Sequence, residues 1–339
     1  MKLKRLLKVI DTIYIEEKVK CLDRTNEILL KFKNARHIFI EKYTEIFNKK
    51  KQNFRIQKNK QALILAYKYD NYVLETPSGF GIGNSKNFYF SHMYNCIYDC
   101  RYCFLQGMYS SAALVLFVNY EKFFEKINLI IKNNLNEKVT FFTGYDCDSL
   151  AFEKVTGFAE YVLSNVNKKN NAQFEFRTKS VQIEPFINSR PNDNVIVAYS
   201  LMPEKISSKL DNKTPTIKKR VNAMTKISKL GWKVGLRFDP LIYHLGWKKN
   251  YSELIENILL QLNENNLHSV SFGSLRFPKA MFKKIYNMYP EEVLFSRYLT
   301  HRNSSIAINS EIENEMIEFC NSIIKSNYEK IPVFSCLSY

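Results

Sequence analysis

From residue 86 onward the chain alternates short apolar runs with segments whose apolar residues recur at helical spacing. The runs NFYF (87–90), LVLFVN (114–119), VTFFTG (139–144), FEFRT (174–178), VIVAYS (195–200), KVGLRF (233–238) and SVSFGS (269–274) read as strands. Between most of them the spacing predicts helices over 120–135, 149–166, 181–188, 215–230, 250–265 and 277–288. The 215–230 segment carries start and stop signals, with Thr214 as N-cap, Pro215 at the first helical position and Gly231 beyond its end. Repeated strand–helix units imply an α/β fold with a parallel sheet and right-handed crossovers, and six or so of them predict a barrel, complete or partial. Chemistry in such barrels gathers at the carboxyl ends of the strands. The tail adds a helix at about 310–326 and a final apolar strand, IPVFSC.

Before residue 86 the pattern is mixed and basic. LILAYKY (62–68) reads as a strand and 48–60 as a solvated loop. SGFGIGNS (78–85) reads as a turn, since no helix pattern follows it as a dinucleotide loop would require. The expected organisation is an N-terminal basic α/β extension (1–85), a barrel (86–295) and a C-terminal segment (296–339). The longest apolar runs, such as AALVLFV (112–118), are far too short to span a membrane. The basic start meets acidic residues at once and no small-residue cleavage site follows, so a cytoplasmic protein is expected.

Charge and cysteines sharpen this picture. Lys and Arg number 50 against 33 Asp and Glu, a net charge of +17, which suits a polyanionic partner such as nucleic acid. Composition bias toward Lys, Asn and Ile accounts for it equally well. Three of the seven cysteines, Cys96, Cys100 and Cys103, form C-x3-C-x2-C shortly after the first barrel strand. Thiolates at this spacing can each take one iron of a [4Fe–4S] cube, leaving the fourth iron open to a substrate or cofactor. A zinc site completed by His92 or Cys147 is the competing assignment, although structural zinc commonly uses a second C-x2-C knuckle and none exists here. Cys21, Cys320 and Cys336 read as structural, and the five histidines show no metal spacing.

Three cysteines at this spacing, followed by an aromatic residue, resemble the radical S-adenosylmethionine superfamily. YDCRYCFLQGMYSSAALVLFVN (98–119), FRTKS (176–180), YSLMPE (199–204), the run 214–247 and FGSLRFP (272–278) are similar to the spore photoproduct lyase family. IYIEEK (13–18) and NFRIQK (53–58) extend the likeness to the front of the chain. The resemblance implies a partial (β/α)6 barrel that binds a [4Fe–4S] cluster and S-adenosyl-L-methionine. It implies reversal of a methylene-bridged thymine dimer in DNA by a 5′-deoxyadenosyl radical, with a reducing electron donor such as flavodoxin or ferredoxin. Lys179 and Ser200 match positions that contact the methionine part of the cofactor, and Asp239 stands where a strand-end contact to it is expected. Arg297, Tyr298 and Arg302, in SRYLTHR (296–302), loosely match a segment that holds the extruded lesion.

The chain also departs from the family. Family members are expected to return hydrogen through a cysteine after the second barrel strand, aided by tyrosines flanking the third cluster cysteine. Tyr102 is kept, but Phe104 has no hydroxyl to take part. Tyr145 aligns with the donor cysteine, and Cys147 lies two residues on, which keeps the same face if the segment is extended. Cys147 is the first candidate donor and Tyr145 the second. The departures motivate a rival substrate, another nucleotide lesion or modified base. A non-catalytic iron–sulfur or zinc nucleic-acid-binding protein is the rival of another class.

Overall fold

The computed structural model describes residues 10–77, 80–83, 86–166, 171–296 and 298–336. The front of the chain supplies β1 (Thr12–Glu16), β2 (Arg36–Ile40), β3 (Leu63–Ala66) and β4 (Leu74–Glu75). Next come β5 (Lys86–Phe90), β6 (Met93–Tyr94), β7 (Asp99–Cys100), β8 (Leu114–Phe117) and β9 (Val139–Thr143). They are followed by β10 (Ala172–Thr178), β11 (Val195–Ser200), β12 (Asp211–Asn212), β13 (Lys233–Leu241) and β14 (Leu267–Ser274). The chain closes with β15 (Arg276–Pro278), β16 (Leu299–Arg302), β17 (Ser305–Ile308) and β18 (Val333–Cys336).

The larger sheet runs β18-β14-β13-β11-β10-β9-β5-β4, and each pairing within it is parallel except β4 with β5. This is the expected partial (β/α)6 barrel, with β18 added at its far edge. Its strands are near-continuous apolar runs because both faces are covered; every residue of VIVAYS in β11 is buried. Phe88, Phe141 and Phe174 stand in register on three neighbouring strands, with ring centroids 5.6 and 5.2 Å apart. The covering helix Tyr120–Asn133 buries Tyr120, Phe123, Phe124, Ile127 and Ile131, an apolar stripe at helical spacing.

Several sequence expectations shift. The 215–230 helix begins later, at Ile217, because the cap is Thr216, whose Oγ1 accepts from Lys219 N at 3.4 Å. Thr214 instead donates to Asp211 O at 2.7 Å. The 149–166 helix divides at Gly157, whose φ of +58° a side chain would resist, into Glu153–Thr156 and Phe158–Asn165. The segment read as a solvated loop holds a short helix, Phe54–Gln57, capped by Asn53, and it buries Phe54 and Lys58.

The largest departure concerns β8, which is a strand as its pattern predicts but does not belong to the barrel. It pairs with β3 and β6 in a second sheet of order β2-β1-β3-β8-β6. The chain therefore leaves the barrel after β5, crosses to the second sheet at β6, and makes the cysteine loop before returning to that sheet at β8. Within the loop the short helix Leu105–Met108 packs on Lys279–Met288. Gly107 allows this approach, since a Cβ there would stand 2.6 Å from Met281 O. Gly107→Ala is expected to cost about 1–3 kcal/mol by forcing the two helices apart, read as a lower melting temperature.

Candidate active site

The two ends of the cysteine loop are fastened to each other and to the segment that leads into β3. Asn95 turns the chain inward with φ +65°, and its Nδ2 donates to Ser111 O and Ala113 O at 2.8 Å each. Lys58 Nζ donates to Cys96 O, and Gln61 Nε2 reaches the same oxygen at 3.2 Å and Ala112 O at 2.7 Å. Gln106 Nε2 donates to Cys100 O at 2.5 Å. On the other side β7 pairs antiparallel with β12, placing Asp211 opposite Cys100.

Asp211 organises that contact. It is buried, and its carboxylate accepts from the Tyr102 hydroxyl, from Arg220 Nη2 at 2.8 Å and from Ser207 Oγ at 3.2 Å. Arg220 in turn donates to Ser200 O at 3.1 Å and Pro215 O at 3.0 Å. Burial opposes the charge on Asp211, yet Lys179, Arg220 and these hydrogen bonds hold it below the ordinary carboxylate range.

Cys96, Cys100 and Cys103 line one cavity of about 690 Å³, which Tyr102, Tyr145 and Cys147 also border. Lys179, Ser200 and Asp239, at the carboxyl ends of β10, β11 and β13, line it too, as the barrel logic requires. Among the described residues no three His, Cys, Asp or Glu side chains converge tightly enough to hold a single metal ion. A cube accepts that wider spread because each thiolate meets its own iron. His92 does not join the thiols: it is buried and stacked on Phe158 at 3.7 Å. Burial pushes the Cys96 thiol up to about 11 and raises Cys100 and Cys103 above their usual range. The protein by itself therefore favours thiols, and a bound metal centre is what would deprotonate them.

The ammonium of Lys179 lies 5.5 Å from the Tyr102 ring centroid and makes no hydrogen bond or ion pair among the described residues. Its backbone is fixed instead: Asp148 Oδ2 accepts from Lys179 N at 2.6 Å, and Oδ1 accepts from Thr178 Oγ1 at 2.7 Å. A fixed strand end whose cation makes no hydrogen bond or ion pair suits an incoming carboxylate. Asp239 pairs with Arg276 at 3.4 Å and Arg177 at 3.8 Å. Arg237 bonds Glu175, and His244 bonds Ile242 O and Asn250, so neither depends on Asp239.

Tyr145 and Cys147 sit on a tight turn rather than an extended segment. Gly144 adopts φ +76°, and Cys147 N donates to Gly144 O at 3.2 Å. Both side chains still border the cavity, through the turn and not through strand alternation. The Tyr145 ring lies 4.4 Å from that of Tyr89 and 5.8 Å from that of Phe104.

The C-terminal candidates are not gathered at this cavity. Arg302 is committed to Glu313 at 2.6 Å and to Ile308 O at 2.6 Å, and Tyr298 packs on Tyr243 at 4.6 Å with φ +62°. Arg297 lies outside the described residues. Cavity residues that the sequence reading passed over include Asp148, Arg177, Arg276 and Ser271, along with Gly81 and Ile82 of the glycine turn. Arg177 and Arg276 stand inside the quoted runs FRTKS and FGSLRFP, where nothing in the pattern marks a charged residue as facing inward.

The fold and the sequence match known proteins. The chain is 22% identical over 202 residues to spore photoproduct lyase from Bacillus subtilis (strain 168), covering 59% of each chain. It is equally similar over 202 residues to the enzyme of that name from Geobacillus sp. (strain Y412MC61), again covering 59% of each chain. These matches therefore span a little under two thirds of the curated relatives' own length. A solved mutant spore photoproduct lyase with bound AdoMet and dinucleoside spore photoproduct superposes with a TM-score of 0.83 at 17% identity, covering 96% of this chain and 98% of that one. Another, complexed with dinucleoside spore photoproduct, gives 0.83 at 16% identity, covering 96% and 99%. The family model for spore photoproduct lyase matches residues 83–302, well over half of the chain and all of the cysteine loop, and the chain belongs to that family.

Proposed function

We propose that this chain is a radical S-adenosylmethionine lyase that reverses a methylene-bridged thymine dimer in DNA. The observation that carries the proposal is one cavity lined by the three loop thiols, Lys179, Ser200, Tyr145 and Cys147. Cys96, Cys100 and Cys103 would hold a [4Fe–4S] cluster and Lys179 and Ser200 the methionine part of the cofactor, which when reduced supplies a 5′-deoxyadenosyl radical that takes hydrogen from the lesion. Lys179 neutralises the cofactor carboxylate, while Asp148 keeps the lysine backbone in place. Asp239 holds Arg177 and Arg276 at the cavity wall.

Cys147 returns hydrogen to the product in this reading. It is a half-buried thiol held protonated by its surroundings, since burial raises it well above its ordinary range. Tyr145 is the second candidate, its phenol kept neutral by burial. The Tyr102 hydroxyl is already donated to Asp211, and Phe104 supplies none. That difference favours, as a second reading, the same radical chemistry on another nucleotide lesion or modified base. A non-catalytic nucleic-acid binder has no use for a lysine without a hydrogen-bond partner beside three thiols.

The proposal extends to a DNA partner contacted by segment 296–302, to an electron donor of the flavodoxin or ferredoxin kind, and to a cytoplasmic setting. No helix among the described residues is long and apolar enough to cross a membrane. The three-part division at residues 85 and 295 also stands as part of the proposal, with β8 bridging the first two parts.

Anaerobic incubation of the iron–sulfide-reconstituted protein with S-adenosylmethionine, a strong reductant and the methylene-bridged dithymine dinucleotide tests this reading. Mass spectrometry is expected to show loss of the lesion and formation of thymidylyl-thymidine. Cys147→Ala is expected to divert product to adducts, and Tyr145→Phe to leave it clean. The reverse pattern makes Tyr145 the donor. 5′-Deoxyadenosine without repair moves the enzyme to another substrate.

A further inference from the structure

The segment Glu204–Lys219, EKISSKLDNKTPTIKK, packs against the cysteine loop through β12. Asp211 lies opposite Cys100 and Asn212 opposite Asp99, and Arg101 N donates to Leu210 O at 2.9 Å. Five lysines of this segment, Lys205, Lys209, Lys213, Lys218 and Lys219, are exposed. Its two acids offset them only in part. Glu204 is turned to the Ile217 amide at 2.8 Å, and Asp211 is buried on Arg220. None of the five lysines makes an ion pair among the described residues. The outer face therefore carries five exposed lysines against one exposed carboxylate, on a backbone that the buried Asp211 network holds still.

This face is close to the thiols yet separate from the cavity, which none of residues 204–219 lines. Antiparallel partners stand about 5.5 Å apart, and each further residue adds at most ~3.6 Å. The Cα atoms of Lys209 and Lys213 thus lie within about 13 Å of that of Cys100. The segment has no aromatic ring for a base to stack on and no exposed arginine to fork onto a phosphate. Its charge is complementary to an acidic protein surface, and such complementarity acts chiefly on encounter rate and orientation.

We infer that the lysine face docks an acidic protein that carries one electron, of the flavodoxin or ferredoxin class, and presents it to the metal centre held by Cys96, Cys100 and Cys103. This rests on the radical reading proposed above. The transfer moves one electron from the reduced carrier to that centre, with no bond made or broken.

The test replaces Lys205, Lys209, Lys218 and Lys219 together by glutamate, leaving Lys213 because its Nζ donates to Lys58 O at 2.6 Å. Oxidised flavodoxin is titrated into the wild type and the variant, and flavin anisotropy gives the affinity with or without metal. The wild type is expected to bind more weakly as salt rises, and the variant roughly tenfold more weakly or worse at low salt. With the reconstituted proteins, 5′-deoxyadenosine formation is expected to fall when reduced flavodoxin drives it. It stays unchanged with photoreduced deazariboflavin, a small reductant that needs no docking surface. Unchanged flavodoxin affinity overturns the inference. So does weakened duplex DNA binding with flavodoxin affinity intact, which would make the face a nucleic-acid contact, and so does an equal loss with both reductants. If wild type forms no 5′-deoxyadenosine with deazariboflavin, the radical reading fails, while the anisotropy arm still reports on the surface.

Discussion

Replacing Cys103 by alanine is expected to empty the site of iron and to stop 5′-deoxyadenosine formation while leaving the fold intact. The loop backbone does not depend on that sulfur. Cys103 N donates to Cys100 O at 3.1 Å, and the loop is fastened by Asn95, Lys58, Gln61 and Gln106. The thiol instead faces the cavity with Cys96 and Cys100, so its loss removes one of the three proposed ligands and only a small part of the core packing. Disturbing a group behind a ligand already costs metal affinity about 10–100-fold, and deleting the ligand itself exceeds that. Iron and sulfide content, the visible absorbance of the reconstituted protein and circular dichroism check the three parts of the expectation. Cys320→Ala is the control, since Cys320 is buried in the helix Ser310–Asn327 and should keep full iron. Full iron in Cys103→Ala would make Cys147, across the same cavity, a ligand instead of a hydrogen donor.

The parts of the site legible in sequence are those fixed by local spacing or by strand ends. Three cysteines within eight residues share a loop whatever the tertiary fold does, and Lys179 and Ser200 face the cavity because strand carboxyl ends do. What escaped the pattern depends on partners distant in sequence. LVLF in β8 reads as a barrel strand, yet its apolar residues are satisfied equally by β3, and only the pairing settles which sheet it joins. Thr214 and Thr216 both have the chemistry of a cap, and the choice was made by Asp211, whose carbonyl takes the Thr214 hydroxyl. Arg302 reads as a free cation until Glu313, on the following helix, claims it. Cys147 borders the cavity by way of a turn at Gly144 and not by the strand alternation on which its place was expected.

Glu175→Ala is expected to be the most destabilising single change outside the apolar core, at about 3–5 kcal/mol. Glu175 and Arg237 are both fully buried inside the barrel and meet in a two-pronged pair, Nη2 to Oε2 at 2.7 Å and Nε to Oε1 at 3.1 Å. Arg237 also donates to Leu236 O at 3.0 Å, Ser269 O at 3.1 Å and Ser269 Oγ at 3.0 Å. Arg177, two residues along β10 and on the same face, also reaches Glu175 at 3.3 Å and lines the cavity. The pair is therefore the floor on which the cavity wall stands. Removing the carboxylate strands a guanidinium in the barrel, whereas replacing both members together by leucine removes the charge with its partner and should cost far less. Burial opposes the charge of Glu175, but Arg237 and then Arg177 bring its carboxyl down to about 2 from an ordinary value near 4.5. The folded value is the lower one, so this contribution is fully present above pH 4.5 and is lost as pH falls toward 2. Denaturant melts of wild type and Glu175→Gln across that window measure it: wild type loses stability with falling pH, and the glutamine variant follows a flatter curve. Equal slopes would mean that the acid sensitivity of the fold resides in other carboxylates, with buried Asp211 on Arg220 the next to test.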